Sequence, residues 1–392
     1  MKKHKTTRVV IVGGGFGGVK TALGLANKPG FEVVLMSTTN NFEYHGALYR
    51  SATGHSPMEV VIPIDDILHR AKNVTFVLDT AASIDPKRQT IKSEVGNTYK
   101  YDKAVLAMGN VINYFGIEGM DKNSYGLATI SQTIMLRNRM TELFKKPPKD
   151  LTIAVVGAGP SGVELAGSIQ EFADRVSRKY GKPLAHPKVV LIEGADRVLP
   201  MFDPVLSAKA YKRLQKLGVE LRLNTKVNAC EEGKVCLSGG DIKADLIVWT
   251  AGSCACDFYM KHPKVFALER GRVKVDQYLR VPGHTDIHVI GDNAFTPFTG
   301  MAQTALHDAK FVVHNLIREK HGSKLETYRP LHPSYIVPVG DKWAVLQNGT
   351  HQWSGRRAWL FRRQADRAIF RSFLPYKHAV RRWRKGNQLA NF

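Results

Sequence analysis

Two glycine clusters are the residues of this chain best suited to chemistry. The first is Gly13, Gly15 and Gly18, with Phe16 inside it; the second is Gly157, Gly159 and Gly162. In a G-x-G-x-x-G turn the first glycine permits the tight turn and the second lets the backbone approach a pyrophosphate. The third lets the following helix pack on the preceding strand. Phosphates then sit at the helix N-terminus, where N–H groups and the helix dipole favour negative charge. Two such turns point to two dinucleotides, so that cofactors carry the reaction and the protein positions them.

The elements around the turns fit. Arg8–Val12 and Leu151–Val156 are short β-branched runs of the kind buried on both faces of a sheet, and helical stretches start after Gly18 and Gly162. Second strands follow at Phe31–Met36 and Val189–Glu193, and Gln170–Lys188 reads as an insertion in the second unit. Further strands run into Gly109, into Gly252, and into Gly291 with Asp292. The expected fold is α/β: two Rossmann-like, doubly wound dinucleotide-binding domains plus a small C-terminal membrane-docking region. Residues 1–112 and 255–325 are read as a discontinuous first domain, 113–254 as the second, and 326–392 as the basic amphipathic end.

The residue at the end of the second strand chooses the nucleotide. Glu193 fills that place in the second unit, where a carboxylate accepts from ribose hydroxyls and repels a 2′-phosphate, favouring NADH over NADPH. Arg197, four residues on, keeps NADPH open. In the first unit the place is held by Ser37, which bonds a ribose more weakly than the usual acid.

With these turns in view, the chain resembles the two-dinucleotide-binding flavoproteins, and among them the type II NADH dehydrogenases, single-chain NADH:quinone oxidoreductases that pump no protons. The resemblance runs from about Thr7 to His314. Its more specific stretches are Gly162-Val163-Glu164-Leu165-Ala166-Gly167 and Ala302-Gln303-Thr304-Ala305. It implies FAD and NADH as cofactors and a quinone as acceptor. By position, Gly291 and Asp292 would meet the FAD ribityl and pyrophosphate groups. Glu164 would face nicotinamide and flavin. Ala302 and Gln303 would set N–H groups at the flavin pyrimidine edge, where reduction develops negative charge. His307 stands where the family's quinone motif has a second glutamine; an imidazole there can still donate to a quinone oxygen or relay a proton. Glu164, Gln303 and His307 are thus the candidate catalytic residues.

Cysteines narrow the class. Asn41–Tyr49, where disulfide reductases of this superfamily carry a redox pair beside the flavin, has none. All four cysteines cluster as Cys230, Cys236, Cys254 and Cys256, a spacing awkward for zinc, and no metal is expected. Cys230 and Cys236 fit packing positions in a hairpin. Four cysteines in 392 residues make a reducing compartment the default. No apolar run reaches the ~18 residues of a membrane span, and Val9–Val12 after the basic start Met1–Lys5 is too short for a signal core.

The net charge of +23 admits nucleic acid, an anionic membrane surface or anionic ligands. Much of it sits at the end: Arg356–Lys385 holds eleven Lys or Arg against Asp366 alone, interleaved with Trp359, Phe361, Phe370, Phe373 and Trp383 and divided by Pro375. Such a segment suits an anionic interface, with arginines at headgroups and aromatics below. Nucleic-acid binding is the competing reading, and a cap packing its aromatics inward is the structural one. The resemblance favours the membrane: a peripheral enzyme on the cytoplasmic face of the cell membrane, with no nucleic-acid partner and a homodimer left open. A soluble flavin or ferredoxin-type reductase, a sulfide:quinone oxidoreductase-like enzyme and a redox-sensing binding protein are the alternatives.

Overall fold

Thr7–Val12 is the middle strand of a five-stranded parallel sheet ordered Ile287–Val289, Lys103–Leu106, Thr7–Val12, Phe31–Ser37, Val74–Leu78. Val9, Val10 and Ile11 are fully buried, as a strand covered on both faces requires. The register aligns Val12 with Leu106, and Leu106 with Val289. The carboxyl ends of three strands therefore gather Gly13, Gly109 and Gly291 at one edge. The chain crosses from Thr7–Val12 to neighbours on either side, and such a switch point is where open α/β sheets bind ligands.

In the computed structural model, residues 6–183 and 186–390 are described; Met1–Lys5 and the last two positions of the tail lie outside them. Two compact units are present. One contains Met1–Glu43, Val61–Val111 and Ser253–Pro333; the other contains Tyr44–Val60, Ile112–Gly252 and Ser334–Phe392.

The second unit repeats the scheme. Its parallel sheet runs Tyr125–Gly126, Leu246–Trp249, Thr152–Val156, Lys188–Ile192, Val219–Arg222. Thr152–Val156 is central and opens onto the second glycine turn. The helix that follows, Pro160–Lys179, is twenty residues long and covers the first half of the stretch read as an insertion. Cys230 and Cys236 lie on the antiparallel hairpin Val227–Glu231 and Lys234–Leu237.

The end of the chain is built differently from a free-standing region. The strands Tyr335–Pro338, Ala344–Asn348 and His351–Gly355 form an antiparallel sheet, and Val337, Val339 and Val345 join the same core as Phe172 of the helix Pro160–Lys179. Two helices follow, Arg356–Phe373 and Tyr376–Gly386, broken at Pro375 as its missing N–H dictates. Among the described residues, no helix is long and apolar enough to cross a membrane.

Candidate active site

The first turn shows how each glycine is used. A Cβ on Gly18 would collide with the Gly13 carbonyl oxygen, and one on Gly13 with the Ala107 carbonyl oxygen. Gly15, by contrast, faces open space. Gly15 also caps the helix Phe16–Leu25 without any side-chain bond, and no acid sits in the first helical turn. The helix thus presents uncapped N–H groups and no repelling charge to a phosphate. Phe16 is buried edge-on against Phe42, with ring centroids 4.9 Å apart. Ser37 is buried against the turn, so close that a Cβ on Gly14 would strike it.

Gly109 and Gly291 finish the same edge. Gly109 has φ +72° with open space on its Cβ side. Its carbonyl accepts from Asn293 Nδ2 at 2.6 Å, and Asp292 Oδ2 accepts from Asn110 Nδ2 at 3.0 Å. The Asp292 carbonyl accepts from Arg272. These contacts fix the carboxylate of Asp292 half-exposed at the sheet edge, and together with the open Gly15 face they fit a dinucleotide.

The second turn repeats the pattern. A Cβ on Gly162 would strike the Gly157 carbonyl, Gly159 faces open space, and Gly159 caps the helix Pro160–Lys179 with no side-chain bond. Glu193 does more than stand near it. Its Oε2 accepts from Ala158 N at 2.7 Å and its Oε1 from Ala195 N at 2.9 Å, clasping the turn from the end of its strand. Arg197 turns its Nη2 onto the Pro200 carbonyl at 3.0 Å. Gly252 lies against Asn113, whose N–H it accepts at 3.1 Å.

Glu164 is buried on the helix behind this turn. Its Oε1 accepts from Arg362 Nη1 at 2.8 Å. Arg362 Nε also donates to Asp366 Oδ1 at 2.8 Å, which accepts from Tyr44 OH at 2.6 Å. Arg363 bridges Asp366 (2.7 Å) to Glu59 (2.5 Å), and Glu59 in turn accepts from Arg50 Nε at 2.8 Å. Three guanidiniums and three carboxylates thus pair inside one unit. Burial lifts the Glu164 pKa to about 7, although Arg362 pulls the other way. Burial also opposes ionisation of Asp366, but the flanking guanidiniums outweigh it and hold its pKa below the usual carboxylate value.

The third cluster lies on the helix Ala302–Lys320. An α-helix cannot satisfy its own first N–H groups, and Ala302 and Gln303 head this one, with Gln303 exposed. His307 Nε2 contacts the Arg329 carbonyl at 2.8 Å; a carbonyl only accepts, so that nitrogen carries the proton. The ring also lies 5.6 Å from that of Tyr328. The next residue, Asp308, is fully buried. It accepts from Gly291 N at 2.9 Å and Tyr328 OH at 2.6 Å, and burial lifts its pKa to about 6. Asp308 therefore holds the turn that carries Asp292.

The model of the pyridine nucleotide-disulphide oxidoreductases matches residues 7–309, spanning both turns and the Asp308 cluster. Two type II NADH:quinone oxidoreductases of Mycobacterium tuberculosis, Ndh and NdhA, are 31% and 32% identical to the chain. These alignments cover 90% of this chain and 82% and 81% of the relatives. The chain belongs to the type II NADH:quinone oxidoreductases. A Staphylococcus epidermidis member is 28% identical over 93% of this chain and 95% of its own length. Among solved structures, NDH2 of Plasmodium falciparum in complex with NADH aligns with TM-score 0.87 at 18% identity, covering 99% of this chain and all of that one. The sulfide:quinone oxidoreductase of Aquifex aeolicus aligns with TM-score 0.77 at 20% identity, covering 97% and 92%. At such identities these two establish the fold alone, and the α/β, Rossmann-like expectation holds.

In this family member the sequence located both glycine turns and Glu193 beside its turn. It did not foresee that Glu193 spends both oxygens on backbone N–H groups. Four further residues were missed as members of buried charge clusters. Asp308 sits on the helix stripe of Thr304, Ala305, Ala309 and Val312, and an acid on an apolar stripe was the available signal. Arg362, Arg363 and Asp366 likewise share the buried face of Arg356–Phe373 with Ala358, Phe370 and Phe373. Arg362 and Arg363 are therefore not at an outer headgroup level; internal carboxylates pair them.

Proposed function

We propose that the chain is an FAD-dependent NADH:quinone oxidoreductase that pumps no protons. FAD, when bound, supplies the two-electron chemistry, accepting a hydride from NADH and delivering two electrons to a quinone. The observation that carries this reading is the pair of glycine turns, each with an open second glycine and an uncapped helix end free of acids.

Gly13, Gly15, Phe16, Gly18, Ser37, Gly109, Gly291 and Asp292 would hold FAD in the domain formed by residues 1–112 and 255–325. Gly157, Gly159, Gly162, Glu193 and Gly252 would hold NADH in residues 113–254, with Glu193 disfavouring a 2′-phosphate. Ala302 and Gln303 would offer N–H groups to negative charge on the flavin ring. Quinone reduction consumes two protons, one from NADH's partner proton in solution and one carried with the hydride. Glu164, whose pKa lies near neutrality, can hold such a proton; His307 Nδ1, left as an acceptor while Nε2–H donates to the Arg329 carbonyl, can receive a quinol hydroxyl but has no proton to donate to a quinone oxygen. Exposed Trp353, Leu360 and Phe361 beside exposed Arg356 and Arg357 support docking of the 326–392 segment on an anionic cytoplasmic membrane face.

The test is anaerobic. NADH added to the purified yellow protein should bleach the flavin, and a menaquinone or ubiquinone analogue should restore its colour. A flavin that stays reduced on quinone addition refutes the assignment.

A further inference from the structure

Arg137 is a buried cation that meets no counter-charge among the described residues. It lies on the helix Ile130–Lys145 and is 8% exposed. Its Nε and Nη1 find no hydrogen-bond partner among the described residues. Among the described residues no carboxylate offsets its burial, which draws its pKa down. Arginine does not shed its proton in proteins, and a buried charge is normally paired because its desolvation is expensive.

The side chain lines an open groove of about 500 Å³ with Ser56, Met58, Lys385, Gln388 and Leu389, and among the described residues no lining residue is acidic. The groove is framed by backbone bonds: Ser56 N donates to the Gln388 carbonyl, and Ala390 N to the Gly54 carbonyl, both at 3.0 Å. The acid nearest in sequence on that wall, Glu59, is turned away and taken by Arg363 at 2.5 Å and Arg50 at 2.8 Å. On Arg137's own helix, Glu142 faces Arg139 at 3.9 Å.

We propose that this groove is an oxyanion site for a phosphate group, with Arg137 at its base and Lys385 at its rim. Two cations with a hydroxyl and an amide beside them match a group carrying roughly −1.5 to −2 charges and three acceptor oxygens. A soluble phosphate and the headgroup of an anionic lipid share this chemistry. Leu389, 53% exposed, and Met58 add an apolar margin that a lipid would also use.

Flavin-loaded wild type, Arg137→Met and Lys385→Gln proteins would be titrated calorimetrically with inorganic phosphate against chloride at equal ionic strength. In a second arm they would be co-sedimented with phosphatidylcholine vesicles with and without phosphatidate. Binding of phosphate that weakens roughly ten-fold or more in Arg137→Met, and less in Lys385→Gln, supports the site with a soluble ligand. Binding confined to phosphatidate vesicles and lost in the same order supports the lipid. Lys385→Gln touches no core contact and so remains informative if Arg137→Met folds poorly. Phosphate and phosphatidate binding equal in all three proteins, or none in any, overturns the proposal and leaves Arg137 satisfied by solvent. NADH-driven flavin reduction should be unchanged in both variants.

Discussion

Replacing Glu164 by glutamine tests the electrostatics of the buried network with a defined sign. A carboxyl whose pKa is raised on folding stabilises the protein below its unfolded pKa, and that stability is lost as pH rises through the folded value. For Glu164 the unfolded value is 4.5 and the folded value about 7. The full swing is then roughly 3 kcal/mol, at about 1.4 kcal/mol per pKa unit. Most of it, roughly 2–3 kcal/mol, falls between pH 5 and pH 8. Glutamine cannot titrate, so Glu164→Gln should gain on wild type by that amount as pH rises. The constant cost of losing the bond to Arg362 cancels in this comparison, and Asp308 titrates in both proteins. Urea denaturation followed by tryptophan fluorescence across this pH range gives the gap directly. A gap that stays flat, or moves toward the wild type with rising pH, would mean that Arg362 keeps Glu164 ionised throughout and the reasoning fails.

The two turns should separate genetically. Gly162→Ala drives a methyl into the Gly157 carbonyl and should abolish NADH binding while flavin stays bound; Gly18→Ala should instead yield colourless protein. Absorbance spectra and NADH titration read both. Glu193→Ala removes two backbone clasps as well as the proposed ribose partner, so KM for NADH should rise roughly ten-fold or more and the proposed preference over NADPH should shrink, measured by steady-state kinetics with each nucleotide. Asp308→Asn aims an amide N–H at one of two donors, Gly291 N or Tyr328 OH, at a cost of about 1–3 kcal/mol. It should loosen the Asp292 turn, and flavin loss on gel filtration in mild urea would report it; retention equal to wild type would refute a positioning role.

Local pattern determined much of this protein. The β-branched runs before Gly13 and Gly157, the three-glycine spacing, and Glu193 at a strand end are all short-range features, and strand burial and turn sterics act over a few residues. The break at Pro375 is local for the same reason. Tertiary structure decided the partners of the buried charges. Glu164 meets Arg362 across 198 residues of sequence, and Arg363 meets Glu59 across 304. Nothing in the basic end announces that two of its arginines point inward, because a charge run looks the same whether water or a distant carboxylate solvates it. Asp308 is the intermediate case: its place on an apolar stripe was legible, but its two donors come from Gly291 and Tyr328, 17 and 20 residues away and on other elements. Arg137 marks the limit of both. An arginine on a helix is ordinary in sequence, and only the fold, by burying it with no acid among the described residues, turns it into a candidate site.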